Sequence, residues 1–297
     1  MKNDRFQIPK SRYASISCYL SEENTPYNDL KVVRDEKIYQ KLVENNIDSA
    51  MAQHISHLFI RDPLVVFEEK LNIDDEVETD HFENIQSTNW QTMRFKPPPI
   101  KSSIGWRVEF RPTELQITDF ENAALVTFLV LMTRVILSFN LDMIIPISKV
   151  DENMKRAQKR NAVIDEKFYF RRNINSNDRK EEIEVDEMSI NEIVNGSDRF
   201  PGFISLIKEY LSNLDIDVDT QCTIKQYLQF IEARASGKLL TAASWIRKFV
   251  TTHPKYNQDS IVSEEINYEL MWRLNLISSG KIRCPELLFA YQTKSSI

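Results

Sequence analysis

The run from Asp119 to Phe139 constrains this chain most, because it is apolar almost all round. A helix of that kind has little polar face to offer water, so other elements must cover it on most sides. That requires a large core, and 297 residues are enough for one large domain or two of ordinary size. The uninterrupted apolar stretch, Ala123 to Thr133, stops at Arg134 after eleven residues. A bilayer needs about 20, so no membrane span is expected. Asp119 is the expected N-cap. Arg134, set within so apolar a helix, is expected to find an anionic or carbonyl partner.

Charge and residue usage narrow the class further. Apolar residues make up 42% and charged residues 28%, with a net charge of −6 and a pI near 5.5. That is the balance of a globular protein with no basic surface for nucleic acid. Only five glycines occur, where average usage of about 7% would give roughly twenty. No GxxxxGK[ST] or GxGxxG string is present, so a glycine-rich phosphate loop is not expected. Cys18, Cys222 and Cys284 stand far apart in no CxxC spacing, which indicates neither a zinc site nor a disulfide framework and fits reduced thiols in a cytoplasmic setting. Met1 to Arg5 is charged and leads to no apolar stretch, so no signal peptide is expected.

Along the chain, residues 36–60 carry helical periodicity, with Ile38, Leu42, Ile47, Met51, Ile55 and Leu58 as the expected buried row. Arg61-Asp62-Pro63 should end that helix. An acidic loop, Asn72 to Asp80, leads to two strand-like segments, Trp90 to Lys96 and Gly105 to Arg111, separated by Pro97 to Pro99. Residues 171–188 are polar and charged with few large apolar side chains, the pattern of a mobile insertion. After residue 189 the chain reads as helical: one helix opens at Asp219 towards Gly237, a second runs from Lys238 to Pro254, and a third ends at Gly280.

The strand Trp106 to Arg111 carries the most chemistry. Successive side chains point to opposite faces, so Trp106, Val108 and Phe110 form an apolar face expected to pack on a core. Arg107, Glu109 and Arg111 form the other face. The preceding strand divides in the same way, with Trp90, Thr92, Arg94 and Lys96 on its polar side. The pattern permits either a solvated charge ladder or the floor of a cationic cleft for an anionic, phosphorylated or amino-acid ligand. His54 and His57 have helical spacing but no further ligand pattern, and read as structural. Cys222, near a helix start, reads as a buried small apolar residue rather than a reactive thiol. No Ser-His-Asp order, HExxH or catalytic carboxylate pair stands out.

Long contiguous motifs carry a resemblance. The runs Ser87-Thr88-Asn89-Trp90-Gln91-Thr92-Met93-Arg94-Phe95-Lys96-Pro97-Pro98 and Gly105-Trp106-Arg107-Val108-Glu109-Phe110-Arg111-Pro112 closely resemble the catalytic subunit of eukaryotic glutamate-cysteine ligase. So do Pro9-Lys10-Ser11-Arg12-Tyr13, Ala52-Gln53-His54, His57 to Pro63, Asp80 to Gln86, Val150 to Met154, and the segment from Ala235 to Trp245. The resemblance covers only the C-terminal part of that subunit.

The resemblance implies an α+β fold: a partial, glutamine synthetase-like antiparallel sheet with a helical C-terminal region. Residues 1–170 would then be the C-terminal part of the ligase catalytic domain, with strands near 90–96 and 105–111 and the buried helix 119–139. Residues 171–188 would be an insertion and 189–297 a helical region. It also implies an ATP-dependent reaction with magnesium. The γ-carboxylate of L-glutamate becomes an acyl phosphate, and the amine of L-cysteine displaces phosphate, the first step of glutathione biosynthesis. Matched motif by motif, Glu109 corresponds to a magnesium ligand, Arg111 to the arginine facing the transferring phosphoryl group, and Trp90 and Tyr13 to aromatic residues near the acceptor pocket. A smaller modifier subunit is an implied partner. In the family, most magnesium-binding glutamates lie in the N-terminal part, so the chain alone is expected to make no product. The alternative is a non-catalytic fragment or pseudoenzyme acting as an interaction module.

Overall fold

The computed structural model describes residues 18–61, 67–87, 93–96, 98, 102–174 and 184–289. The chain divides into two compact units, Met1–Thr113 with Ile144–Gln158, and Glu114–Met143 with Lys159–Ile297.

In the first unit, α1 (Glu36–Glu44) and α2 (Ser49–Arg61) replace the single helix expected over 36–60. The break has a local cause. Asn46 takes a left-handed φ of 65°, and Asp48 accepts the backbone N–H of Met51 at 2.9 Å, which starts a new helix. Asp35 caps α1 by accepting from the backbone N–H groups of Lys37 and Ile38. Of the expected row Leu58 is buried, Ile38, Leu42 and Ile55 are half-buried, and Ile47 and Met51 are exposed beside the break, where Ala52 is buried instead. Next come α3 (Asp80–Ser87), β1 (Met93–Lys96) and β2 (Arg107–Phe110). The two strands pair antiparallel with Met93 opposite Phe110 and Lys96 opposite Arg107.

The chain enters the second unit for α4 (Asp119–Ser138), returns to the first for α5 (Ile147–Ala157), and stays in the second thereafter. The N-cap of α4 is Thr118, not Asp119. Its hydroxyl and the Glu121 carboxylate form a reciprocal capping box, whereas from position 119 the residue three on is Asn122, not a Glu or Gln. Nor is α4 buried on most sides. Glu121, Ala124 and Val135 are buried, whereas Val126, Val130 and Leu137 face solvent. Arg134 is exposed, so it has no burial cost for a partner to offset. The helix is long and apolar enough to cross a membrane by composition alone, yet its inner face packs against α8 and α9.

The rest of the second unit comprises α6 (Ala162–Asp165), β3 (Lys167–Arg171), β4 (Val185–Ser189), α7 (Ile190–Asn195), α8 (Phe203–Ser212), α9 (Val218–Ala235), α10 (Ala242–Thr251) and α11 (Glu264–Ser278). The stretch 171–188 therefore begins and ends in paired strands, and residues 175–183 lie outside the described residues. Arg171 is buried against Asp142 at 2.8 Å, and Met188 joins a cluster with Ile174, Ile193, Phe200 and Phe203. The larger core gathers Ala124 and Val135 of α4 with Ile207, Phe230, Trp245 and Leu287. The described residues thus form an α+β chain in which helices dominate.

Candidate functional site

The β1–β2 hairpin positions the residues singled out for chemistry. Its register places Arg94 opposite Glu109 and Lys96 opposite Arg107, which makes Lys96 the diagonal neighbour of Glu109. The Lys96 ammonium donates to Glu109 Oε2 at 2.6 Å. From the residue just past the end of β2, Arg111 Nε donates to Glu109 Oε1 at 2.5 Å. Glu109 and Arg111 are two residues apart, so the pleat puts both on one face. The Lys96 hydrogen bond first, then that of Arg111, holds the Glu109 carboxyl below the ordinary range for glutamate.

Of the expected site residues, the structure thus brings Glu109 and Arg111 into direct contact. Trp90 and Tyr13 lie outside the described residues. Lys96 had been placed on the polar side of its strand but not in the site. Antiparallel register combined with period-two alternation is the signal that would have found it.

The same geometry tests the implied magnesium ion. Magnesium requires several oxygen ligands in near-octahedral array, whereas Glu109 offers one carboxylate whose two oxygens are each engaged by a cation. Among the described residues no group of three His, Cys, Asp or Glu side chains could hold a metal. These residues therefore do not make a magnesium site by themselves. What the hairpin presents is two cations around one carboxylate, a surface for an anion.

The other candidates resolve into structure. His57 is buried and its Nδ1–H donates to the Val33 carbonyl at 2.5 Å, and His54 Nδ1 lies 4.0 Å from Cys18 Sγ. Burial raises the Cys18 thiol pKa to about 11. Cys284 is buried, but Cys222 is exposed on the outer side of α9, against the expectation of burial. His253 lies just past the end of α10 and contacts Glu269 at 3.0 Å. A cleft of about 330 Å³ lies in the second unit, lined by Lys167, Arg172, Asp186 and Arg199 among others, and Glu109 and Arg111 take no part in it.

By fold and site this is an α+β protein with a cationic hairpin suited to an anionic ligand. Comparison with known sequences is more specific. The family described as glutamate-cysteine ligase matches residues 1–277. The glutamate-cysteine ligase catalytic subunit of Mus musculus is 55% identical over 303 residues, which take in 97% of this chain and 48% of the mouse protein. The glutamate-cysteine ligase of Dictyostelium discoideum is 50% identical, over 95% of this chain and 46% of that protein, and that of Schizosaccharomyces pombe 50% identical, over 92% and 42%. The chain belongs to the glutamate-cysteine ligase family. It spans about half the length of the curated relatives it matches.

Proposed function

We propose that this chain supplies part of the active site of an ATP-dependent ligase that joins the γ-carboxylate of L-glutamate to the amine of L-cysteine. The observation that carries this reading is the 55% identity to a glutamate-cysteine ligase over 97% of the chain, a span that includes the Glu109–Arg111 contact. In the proposed reaction the glutamate γ-carboxylate attacks the terminal phosphorus of ATP, giving γ-glutamyl phosphate and ADP. The cysteine amine then attacks the acyl carbon, phosphate leaves, and the amine loses its proton. Arg111 would face the transferring phosphoryl group, where its guanidinium offsets charge on the equatorial oxygens. Magnesium, when bound, supplies further charge neutralisation. Its remaining ligands would have to come from outside the described residues. Trp90 and Tyr13 would border the acceptor pocket.

In this reading β1 and β2 are two strands of a larger, glutamine synthetase-like antiparallel sheet, the protein acts in the cytoplasm, and a modifier subunit is a possible partner. The second reading, a non-catalytic interaction module, is favoured by the closed Lys96–Glu109–Arg111 cluster. One assay separates the two. The purified chain, given ATP, magnesium, glutamate and cysteine, is expected to make no γ-glutamylcysteine, and the same chain joined to the polypeptide that the mouse relative carries outside its match is expected to turn over. A joined protein that folds yet stays inactive would remove the ligase reading. Turnover by the chain alone would show that it holds metal ligands outside the described residues.

A further inference from the structure

In the second unit, the turn into α6 and one side of α10 enclose a groove that the ligase reading leaves without a role. It measures about 440 Å³ and is lined by Arg160, Asn161, Asp165, Ser244, Arg247 and Lys248 among others, within the usual range for small-ligand sites. Two contacts set its walls against each other. Ser244 Oγ donates to Asn161 Oδ1 at 3.4 Å, joining positions 83 apart. Ile164 Cδ1 stands 2.6 Å from where a Cβ on Gly237 would be, so α6 seats on the glycine that follows α9.

The charges around the groove are unequally engaged. Lys248 donates to Glu286, Lys159 pairs with Glu166 at 3.0 Å, and Asp165 accepts from Asn161 Nδ2 at 2.9 Å. Each of these carboxylates thus has its donor. The guanidiniums of Arg160 and Arg247, by contrast, have neither an ion pair nor a hydrogen bond among the described residues. Two such cations on one groove repel each other, and in a chain of net charge −6 composition alone does not account for them.

We propose that this groove binds a small phosphorylated molecule, whose phosphate group Arg160 and Arg247 hold between them. A guanidinium is a planar fork matched to phosphate oxygens. A tetrahedral dianion offers oxygens to two forks approaching from different elements, whereas a carboxylate offers two oxygens in one plane. The groove leaves room beyond the phosphate for an organic remainder against Ser244 and Asn161. Glu109 and Arg111 do not line it, and the proposal does not rest on the reaction assigned above.

The probe is inorganic phosphate, titrated into the 297-residue chain by calorimetry at constant ionic strength, which holds general screening fixed. Saturable one-to-one binding is expected. Arg160→Gln and Arg247→Gln should each weaken it by about tenfold or more, the usual loss when one charged hydrogen-bonding partner is removed. Their melting temperatures should match the parent, since Arg160 is exposed and Arg247 half-buried. Arg111→Gln in the hairpin and Arg199→Gln in the other cleft should bind phosphate like the parent, and malonate, a dicarboxylate, should bind more weakly. Non-saturating uptake, indifference to both groove substitutions, a loss with Arg111→Gln or Arg199→Gln instead, or malonate binding as tight as phosphate would each overturn the proposal. An active joined ligase without this binding would remove the groove site and leave the reaction standing.

Discussion

Arg111 donates to Glu109 through Nε, and its planar guanidinium carries further donors in a fixed fork that a lysine ammonium lacks. In the joined, active protein, Arg111→Lys should lower kcat by about a hundred- to a thousandfold, the usual cost of losing a donor aimed at developing charge. The melting temperature should hardly move, since the pair lies on an accessible hairpin. Arg107→Lys, opposite Lys96, should be milder, and the reverse order of damage would remove Arg111 from the proposed role. A second residue pair belongs to stability. Glu121 is fully buried, and its Oε1 accepts from Arg234 Nη2 at 2.5 Å. Arg234→Met would leave that carboxylate buried without its cation, and a loss of about 3 kcal/mol in urea unfolding is expected. Replacing both residues by apolar ones should recover much of it, and an unchanged midpoint for Arg234→Met would refute the assignment. Alternation along one strand was enough to place Glu109 beside Arg111. The Glu121–Arg234 pair was not legible, because its partners are 113 positions apart and no local period joins them. Arg134 drew attention through its apolar neighbours, yet it faces water.

Local stop and start chemistry made several elements legible. Gly280 follows α11 with a φ of 68°, and Gly237 follows α9 with a φ of 75°, both in the left-handed region that favours glycine after a helix. Boundaries shifted where a neighbouring residue capped better. Asp217, whose side chain accepts from the Thr220 N–H, opens α9 ahead of the expected Asp219. The 171–188 stretch shows the limit of composition. Its ends pair as β3 and β4 because Phe170, Ile174 and Met188 find apolar partners in α7 and α8, contacts that its polar average conceals. The tightest constraint in this region is Gly202, which precedes α8 with a φ of 78°. A Cβ there would strike the backbone of Gly196 and stand 2.6 Å from the Asn195 carbonyl carbon. Neither obstacle is a side chain that could swing away. Gly202→Ala should therefore cost about 2–3 kcal/mol, through strain and displaced backbone together. A melting temperature within a degree of the parent would show that the α7–α8 connection is more yielding than its geometry implies.

Across the whole molecule, family and class were legible because long motifs survive intact. The exposure of Val108 and Phe110 on β2, which the sequence pattern set on a core, and of the outer side of α4 was not, because an apolar pattern says that a face is to be covered and not by what. One global property follows from the ionisable groups taken together. Asp29, Glu36, Glu109, Glu192 and Asp217 all have pKa values below their ordinary ones in the folded protein; for Glu192 the first cause is the backbone N–H of Ser189, and for Asp217 that of Thr220. A carboxyl held low in the folded state binds fewer protons there than when unfolded, so it stabilises above its unfolded pKa, near 4, and that stability fades as pH falls through the folded value. At the other end Cys18, Cys284 and Tyr19 are raised, in each case first by burial. Their unfolded forms ionise earlier, so stability is complete below the unfolded pKa and is lost as pH rises towards the folded one. For Cys18 that window runs from 9.0 to about 11, worth about 2–3 kcal/mol across it. Urea midpoints should therefore be flat between about pH 5 and 8 and fall on both sides. Cys18→Ala, which removes the ionising thiol from a small buried site, should flatten the alkaline limb and leave the acid limb unchanged. An alkaline limb that persists undiminished in that variant would mean that burial of Cys18 does not set it.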